Sequence, residues 1–134
     1  MSTPAFGSAL LRLALGTLFL AHALLKLVVF TLPGTIAWFE QHGLPGLLVY
    51  PVVAAELFGG ILLLAGIAVR PVAVVLGLVA LGAILPHAPN GWEFANAGGG
   101  WEYPLFIAFV SFAQALLGAG AWAPQRAAHM HAAS

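Results

Sequence analysis

The chain has 134 residues, of which 62% are hydrophobic and only 6% are charged, against roughly 25% charged in a typical soluble domain. Four Lys and Arg residues balance four acidic residues, all of them Glu. This composition excludes a soluble enzyme domain, a disordered chain and a basic nucleic-acid binder. The lack of Cys excludes disulfides, thiol redox pairs and Cys-ligated metal sites. The chain is therefore expected to reside in a membrane as one domain.

Four apolar stretches are long enough to cross a bilayer. A hydrocarbon core of ~30 Å needs about 20 apolar residues in a helix. Two stretches carry no charged residue: Pro71–Trp92, with 22 residues, and Tyr103–Gln125, with 23. Two further stretches are as long but contain ionisable residues. The sequence predicts an all-α integral membrane four-helix bundle in a single domain, 1–134, with spans of about 7–30, 46–68, 71–88 and 103–121, and a flexible tail at 122–134.

The connections between these spans differ in length. Val69-Arg70-Pro71 is so short that the second and third helices must be antiparallel neighbours. The segment Thr31–Pro45 is expected to lie partly in the membrane interface. Ala88–Glu102 is rich in Gly and Asn, and Trp92 and Trp101 are its expected interfacial anchors.

The distribution of Lys and Arg predicts the orientation. Arg70 and Arg126 fall on one side of the membrane, whereas the two long connections hold only Glu40, Glu93 and Glu102. The excess of positive residues in short cytoplasmic segments then predicts that both termini are cytoplasmic.

Two other short segments have a simple interpretation. Ala21-His22-Ala23 resembles a signal-peptide cleavage site, but the apolar run continues to Phe30 and no Lys or Arg precedes Arg12. We therefore interpret it as part of the first span. His129-Met130-His131 has ligand types that bind metals but is expected to belong to the flexible tail.

Ionisable residues inside the predicted spans are the most informative feature. Each costs ~2.5–3.5 kcal/mol on insertion scales and usually faces the bundle interior with a partner. Arg12, His22 and Lys26 share one helical stripe with Leu15 and Phe19, which is expected to point inward. Arg12 lies near the cytoplasmic face and is expected to extend its side chain to lipid phosphates.

The other ionisable residues gather towards the outer ends of the spans. At a rise of ~1.5 Å per residue, His22 lies ~12 Å and Glu56 ~15 Å below the outer surface, so Glu56 is expected to pair with His22 or Lys26. His87 closes the third helix on the same side. The predicted ligand-binding residues around this cluster are His87, Trp101, Glu102 and Tyr103.

A series of short motifs runs along residues 10–120. They are Arg12-Leu13-x-Leu15-Gly16-x-x-Phe19-Leu20-x-His22, Lys26-Leu27, Glu56-x-x-Gly59-Gly60, Val69-Arg70-Pro71, His87 and Trp101-Glu102-Tyr103-Pro104-Leu105. In order and spacing they resemble the DoxX-like family of small four-helix membrane proteins. The resemblance implies a multi-pass protein of the inner membrane, linked to respiratory-type redox chemistry. Relatives include a subunit of a thiosulfate:quinone oxidoreductase and partners of detoxification enzymes.

The first functional hypothesis is a redox-associated subunit that binds a quinone. A quinone needs proton donors and acceptors near its two ring oxygens and an apolar slot for its tail. His22 and Glu56 would exchange protons, Lys26 would bind the reduced anion, and Tyr103 or Trp101 would pack on the ring. Because the chain has no flavin or dinucleotide motif, the electrons must come from a protein partner or a bound cofactor.

Two alternatives use the same residues or none of them. His22, His87 and Glu56, with Glu102, offer ligands for zinc, copper or iron, and two His on facing helices could ligate a haem. The chain could instead be a non-catalytic membrane anchor or assembly partner of an oxidoreductase. A proton path through the whole membrane is disfavoured, since its inner half would contain only Arg12, Ser111 and Gln114.

Overall fold

The structure is a computed structural model that describes residues 1–124. These residues form five α-helices and no strand: α1 is Thr3–Leu24, α2 is Thr31–Gln41, α3 is Val49–Ala65, α4 is Val69–His87 and α5 is Glu102–Leu117. A π-helical turn, Leu25–Val29, continues α1, and short 3-10 turns occupy Gly46–Leu48 and Ala88–Asn90. The tail motif His129-Met130-His131 and Arg126 lie outside the described residues.

Three helical segments are long and apolar enough to cross a membrane: Thr3–Val29, Gly46–Ala65 and Val69–Asn90. The fourth apolar helix, α5, is shorter, with 16 residues. Large apolar side chains cover the outer surface of the helices, and an apolar surface this extensive is unusual for a protein in water. The all-α fold is therefore that of a helical membrane protein.

Glycines with positive φ angles end α3 and α5. Gly66, with φ 77°, stops α3, and the Ile67 nitrogen donates back to the Leu62 carbonyl across it. Ala68, with φ 50°, then turns the chain directly into α4. Gly118, with φ 82°, stops α5 at Leu117, four residues short of the expected end at 121.

The segment 31–45 contains a helix that the sequence analysis described only as an interfacial connection. Helix α2 packs on the bundle through Thr35 and Phe39, both buried. The Phe39 ring joins Val49 and Val53 of α3 in a small apolar cluster. Helix α2 therefore lies over the junction between the π turn and the first turns of α3.

Two tightly packed helix pairs, α1 with α3 and α4 with α5, make up most of the bundle. At the α1–α3 contact, a Cβ added to Gly60 would lie 2.8 Å from the Leu20 nitrogen, so only Gly allows this approach. At the α4–α5 contact, Gly77 leaves room for the Phe112 ring. The core between the pairs consists of Leu15, Phe19, Leu63, Val69, Leu76, Ala80, Ile107 and Ala108.

Arg12 is buried inside the bundle, with 1% of its surface exposed, so the expectation that it reaches lipid phosphates is wrong. The last carbonyls of a helix have no partner within the helix and carry its partial negative charge. The guanidinium binds two such carbonyls at the end of α3 and three carbonyls of the segment that follows α5. It donates to Leu63 O (2.7 Å), Leu64 O (3.0 Å), Ala119 O (3.0 Å), Ala121 O (3.0 Å) and Trp122 O (3.2 Å).

Other polar side chains complete this end of the bundle in the same manner. The Ser8 hydroxyl donates to the Gly118 carbonyl at 2.8 Å, and the Gln114 amide nitrogen donates to the same carbonyl at 2.8 Å. Arg70 donates to the last carbonyls of α5, at Ala115 and Leu116. We call Ser8, Arg12, Arg70 and Gln114 the Arg12 end.

Candidate functional site

An ion pair between Lys26 and Glu56 forms the centre of the opposite end of the bundle. Lys26 Nζ lies 2.7 Å from Glu56 Oε1, with 20% of the Lys26 side chain and 6% of the Glu56 side chain exposed. Glu56 sits on the α3 face that packs against α1, four residues before Gly60, where the two backbones come closest. Of the two partners that the sequence offered for Glu56, the structure selects Lys26. We call His22, Lys26, Glu56 and Tyr103 the Glu56 end.

The second carboxylate oxygen of Glu56 has no hydrogen-bond partner. Glu56 Oε2 is buried, and no group among residues 1–124 donates to it. A buried acceptor without a donor keeps the full cost of its lost hydration, which is larger for a charged group than for a neutral one. Such an atom marks a place where a further molecule can gain a strong hydrogen bond.

The π-helical turn positions Lys26 for this contact. A π turn contains one more residue per hydrogen-bonded ring than an α-helix, and such turns often occur at functional sites. The turn closes with the Phe30 nitrogen donating to the Leu25 carbonyl at 2.9 Å. Lys26 is the only charged residue in this turn, Leu25–Val29.

Thr35 of α2 holds this turn from outside, and the sequence analysis did not identify it. Its side chain is buried, and its hydroxyl lies 2.8 Å from the Thr31 carbonyl and 3.3 Å from the Lys26 carbonyl. The spacing of Thr31, Thr35 and Phe39 at intervals of four was the available signal, since it is typical of one helical face. Helix α2 therefore contributes to the position of Lys26.

His22 lies one turn before Lys26 on α1 and faces Tyr103. The ring centroids of His22 and Tyr103 are 6.4 Å apart, with 27° between the planes. His22 Nδ1 lies 2.7 Å from the Leu18 carbonyl. Because a carbonyl only accepts, Nδ1 must hold the hydrogen, and Nε2 of the neutral ring remains an acceptor. The structure thus places His22, Tyr103 and the ion pair at one end of the bundle.

His87 contacts a different aromatic residue. Its Nδ1 lies 2.7 Å from the Ala83 carbonyl, and its ring centroid is 5.9 Å from that of Trp38 on α2. The other side of this contact is occupied by His42, whose ring stacks on Trp38 at 4.0 Å. His87 makes no hydrogen bond to Glu56 within residues 1–124. It therefore helps to dock α2 on the end of α4.

Trp101 and Glu102 lie at the start of α5. Trp101 packs edge-on against Trp92, with centroids 4.5 Å apart, which closes the connection between α4 and α5. Glu102 lines a shallow depression of about 330 Å³ together with Phe94, Tyr103 and Phe106. Tyr103 thus belongs both to this depression and to the contact with His22.

The part of the chain that the structure describes contains no complete set of metal ligands. Within residues 1–124, no three side chains of His, Cys, Asp or Glu lie in an arrangement that could hold a metal ion. His22, His87 and Glu56, proposed above as metal ligands, contact Tyr103, Trp38 and Lys26 respectively.

Comparison with known proteins gives a consistent assignment. The DoxX family model matches residues 7–88, which contain Arg12, His22, Lys26, Glu56 and His87. The chain is also similar to "Putative oxidoreductase CatD" of Bacillus subtilis (strain 168), with 35% identity over 112 residues, or 84% of this chain and 79% of the relative. No solved structure matches the chain. On the family match and this extended similarity, the chain belongs to the DoxX family.

Proposed function

We propose that this chain is a redox-associated protein of the inner membrane that binds a quinone-type ligand at the Glu56 end. The observation that carries the proposal is the buried Glu56 carboxylate, which is paired with Lys26 through one oxygen and free at the other. The name of the Bacillus subtilis relative, "Putative oxidoreductase CatD", supports the redox association.

The chemistry of the Glu56 end matches what a quinone ring requires. A quinone and its reduced form exchange protons at two ring oxygens, and they therefore need both donors and acceptors within hydrogen-bond reach. Lys26 supplies a donor, whereas Glu56 Oε2 and His22 Nε2 supply acceptors. The Tyr103 ring offers an aromatic surface, and the apolar outer faces of the helices accommodate a lipid-soluble tail.

The electrons that reduce such a ligand come from outside this chain. Reduction of a quinone to a hydroquinone consumes two electrons and two protons, and the side chains of the Glu56 end can handle only the protons. The electrons come from a protein partner that carries a redox cofactor. The role of this chain is thus to hold the ligand and move its protons within an oxidoreductase assembly.

Purification from native membranes tests the proposal. The full chain is isolated in mild detergent, and bound quinone is extracted, identified by mass spectrometry and quantified per chain. We expect wild-type protein to carry the ligand, counted as the sum of quinone and hydroquinone. In Glu56→Gln this sum should fall at least tenfold, because the amide cannot form the ion pair with Lys26. Glu93→Gln is the matched control, since Glu93 is an exposed carboxylate in the connection between α4 and α5.

Three results would contradict the proposal. Quinone bound equally by wild type, Glu56→Gln and His22→Ala would remove the Glu56 end as its site. A haem absorption band or a stoichiometric metal in the same preparation would favour the ligand-set alternative on His22, His87 and Glu56. A protein partner retained equally by all variants, with no quinone in any of them, would indicate a membrane anchor.

A further inference from the structure

The buried hydrogen-bonding capacity left unused at the Glu56 end is one acceptor, Glu56 Oε2. Glu56 Oε1 accepts from Lys26, whereas Oε2 is buried and accepts from no described residue. His22 Nδ1 is held by the Leu18 carbonyl, so that Nε2 of the neutral ring is also left as an acceptor. Glu56 Oε2 can be satisfied only by a group that brings its own hydrogen, whereas the half-buried His22 ring is also open to other donors.

The hydrogen-bond donors at the same end, unlike Glu56 Oε2, are partly exposed. Lys26 gives one hydrogen to Glu56 and, being partly exposed, can direct the others to water or lipid headgroups. The Tyr103 residue is 36% exposed, and its hydroxyl can do the same. These donors do not depend on a ligand. The buried Glu56 Oε2 does depend on a ligand, because no described residue donates to it.

We infer that this site selects the reduced, hydroxyl-bearing form of its ligand, a hydroquinone, over the oxidised quinone. The inference rests on the proposed function, because it specifies which redox form of the quinone-type ligand is bound. A hydroquinone carries two O–H donors, whereas a quinone carries only carbonyl acceptors. A hydroxyl that approaches past the partly exposed Lys26 can donate to Glu56 Oε2, while a quinone carbonyl there would face a second acceptor.

The size of this selectivity follows from the cost of an unmade hydrogen bond. A buried polar site rejects a ligand that lacks the matching group far more strongly than an apolar site does. We expect the hydroquinone to bind about tenfold to a hundredfold more tightly, the range of a hydrogen bond to a charged group. Tighter binding of the reduced form raises the midpoint potential of the bound ligand, by ~30 mV for each tenfold in this two-electron couple.

Paired titrations measure the selectivity directly. Full-length wild-type protein in lipid nanodiscs is titrated without oxygen with decylubiquinone and, separately, with decylubiquinol, so that the tail is identical and only the ring differs. A dissociation constant at least tenfold lower for decylubiquinol supports the inference. Equal affinities, or tighter binding of decylubiquinone, would overturn it. Binding of neither form would overturn the proposed function itself.

Variants then assign the selectivity to Glu56. In Glu56→Gln the ratio of the two dissociation constants should fall to about one, because an amide offers a donor as well as an acceptor. The exposed control Glu93→Gln should keep the wild-type ratio. If Glu56→Gln fails to fold, His22→Ala replaces it, and we expect that substitution to reduce the ratio as well. Selectivity that is unchanged in a folded Glu56→Gln protein would overturn the inference.

Discussion

The two ends of the bundle bury charge in opposite ways. At the Arg12 end, one guanidinium makes five hydrogen bonds, all to backbone carbonyls. At the Glu56 end, a carboxylate meets the ammonium of Lys26 and keeps one oxygen free. The cation at the first end joins helix termini, whereas the anion at the second retains capacity for another molecule. In this bundle, the incomplete hydrogen bonding of Glu56, rather than the burial of charge itself, favours a ligand site.

Removing the guanidinium should give the largest effect and would test the structural role of the Arg12 end. Arg12→Met removes the Arg12 donors from five carbonyls, of which the Leu63 carbonyl keeps the bond from the Gly66 nitrogen. We expect a loss of about 3–5 kcal/mol in the free energy of unfolding, the range for breaking a buried polar network. Thermal unfolding in detergent measures it.

Arg70→Met is the matched control for that experiment. Arg70 donates to only two carbonyls, and the bonds are exposed, so we expect a loss of less than about 1 kcal/mol. Equal stability of Arg12→Met and Arg70→Met would show that the Arg12 hydrogen bonds do not hold the helices together.

The ion pair at the Glu56 end should contribute less to stability than to binding. Lys26→Met leaves the Glu56 carboxylate buried without a cation, and we expect a loss of about 2 kcal/mol, reduced by the partial exposure of Lys26. Adding Glu56→Gln to Lys26→Met removes the stranded charge. The double variant should recover to within about 1 kcal/mol of wild type while ligand binding stays lost. A double variant that is less stable than Lys26→Met would contradict this interpretation.

The smallest expected effect concerns Thr35, which connects α2 to the π turn. Thr35→Val removes the hydroxyl at nearly constant volume, and we expect a loss of about 1 kcal/mol together with weaker ligand binding. Thr35→Ser should restore both properties. Thr17→Val is the control, because the Thr17 hydroxyl makes a comparable bond to the Leu13 carbonyl and no hydrogen bond to the Glu56 end. Ligand affinity lowered equally by Thr17→Val would indicate a general effect of the lost hydroxyl.

Much of the fold and one contact of the site could be predicted from the sequence. Uncharged intervals predicted apolar helices. The short connection expected between the second and third spans is present, but it lies at residues 66–68, and Val69-Arg70-Pro71 begins α4. The estimated depths of His22 and Glu56 below the outer surface depend only on the regular rise of a helix. They predicted that Glu56 pairs with Lys26 or His22, and the structure shows the pair with Lys26.

The remaining features depend on contacts between distant segments. Periodicity correctly predicted that the helical face with Arg12 points into the bundle. It contains no information on which carbonyls lie near the guanidinium, and the prediction that the side chain reaches lipid phosphates was therefore wrong. Helix α2 was missed because its short, mixed sequence is stabilised by packing of Thr35 and Phe39 rather than by its own pattern. The spacing of Thr31, Thr35 and Phe39 indicates a shared helical face, but the bond from Thr35 to the π turn depends on how α2 packs.

The Gly66 turn and Arg12 together fix the vertical register of the first helix. Because α3 stops at Ala65, its terminal carbonyls are available at one level of the bundle only, and a Cβ at position 66 would lie 3.1 Å from Arg12 Nη1. Sliding α1 by one turn, ~5.4 Å, would strip the guanidinium of these partners. Because Lys26 lies at a fixed distance from Arg12 along this helix, anchoring Arg12 also fixes the position of the Lys26 ammonium along the bundle axis. The ammonium is thereby held beside Glu56.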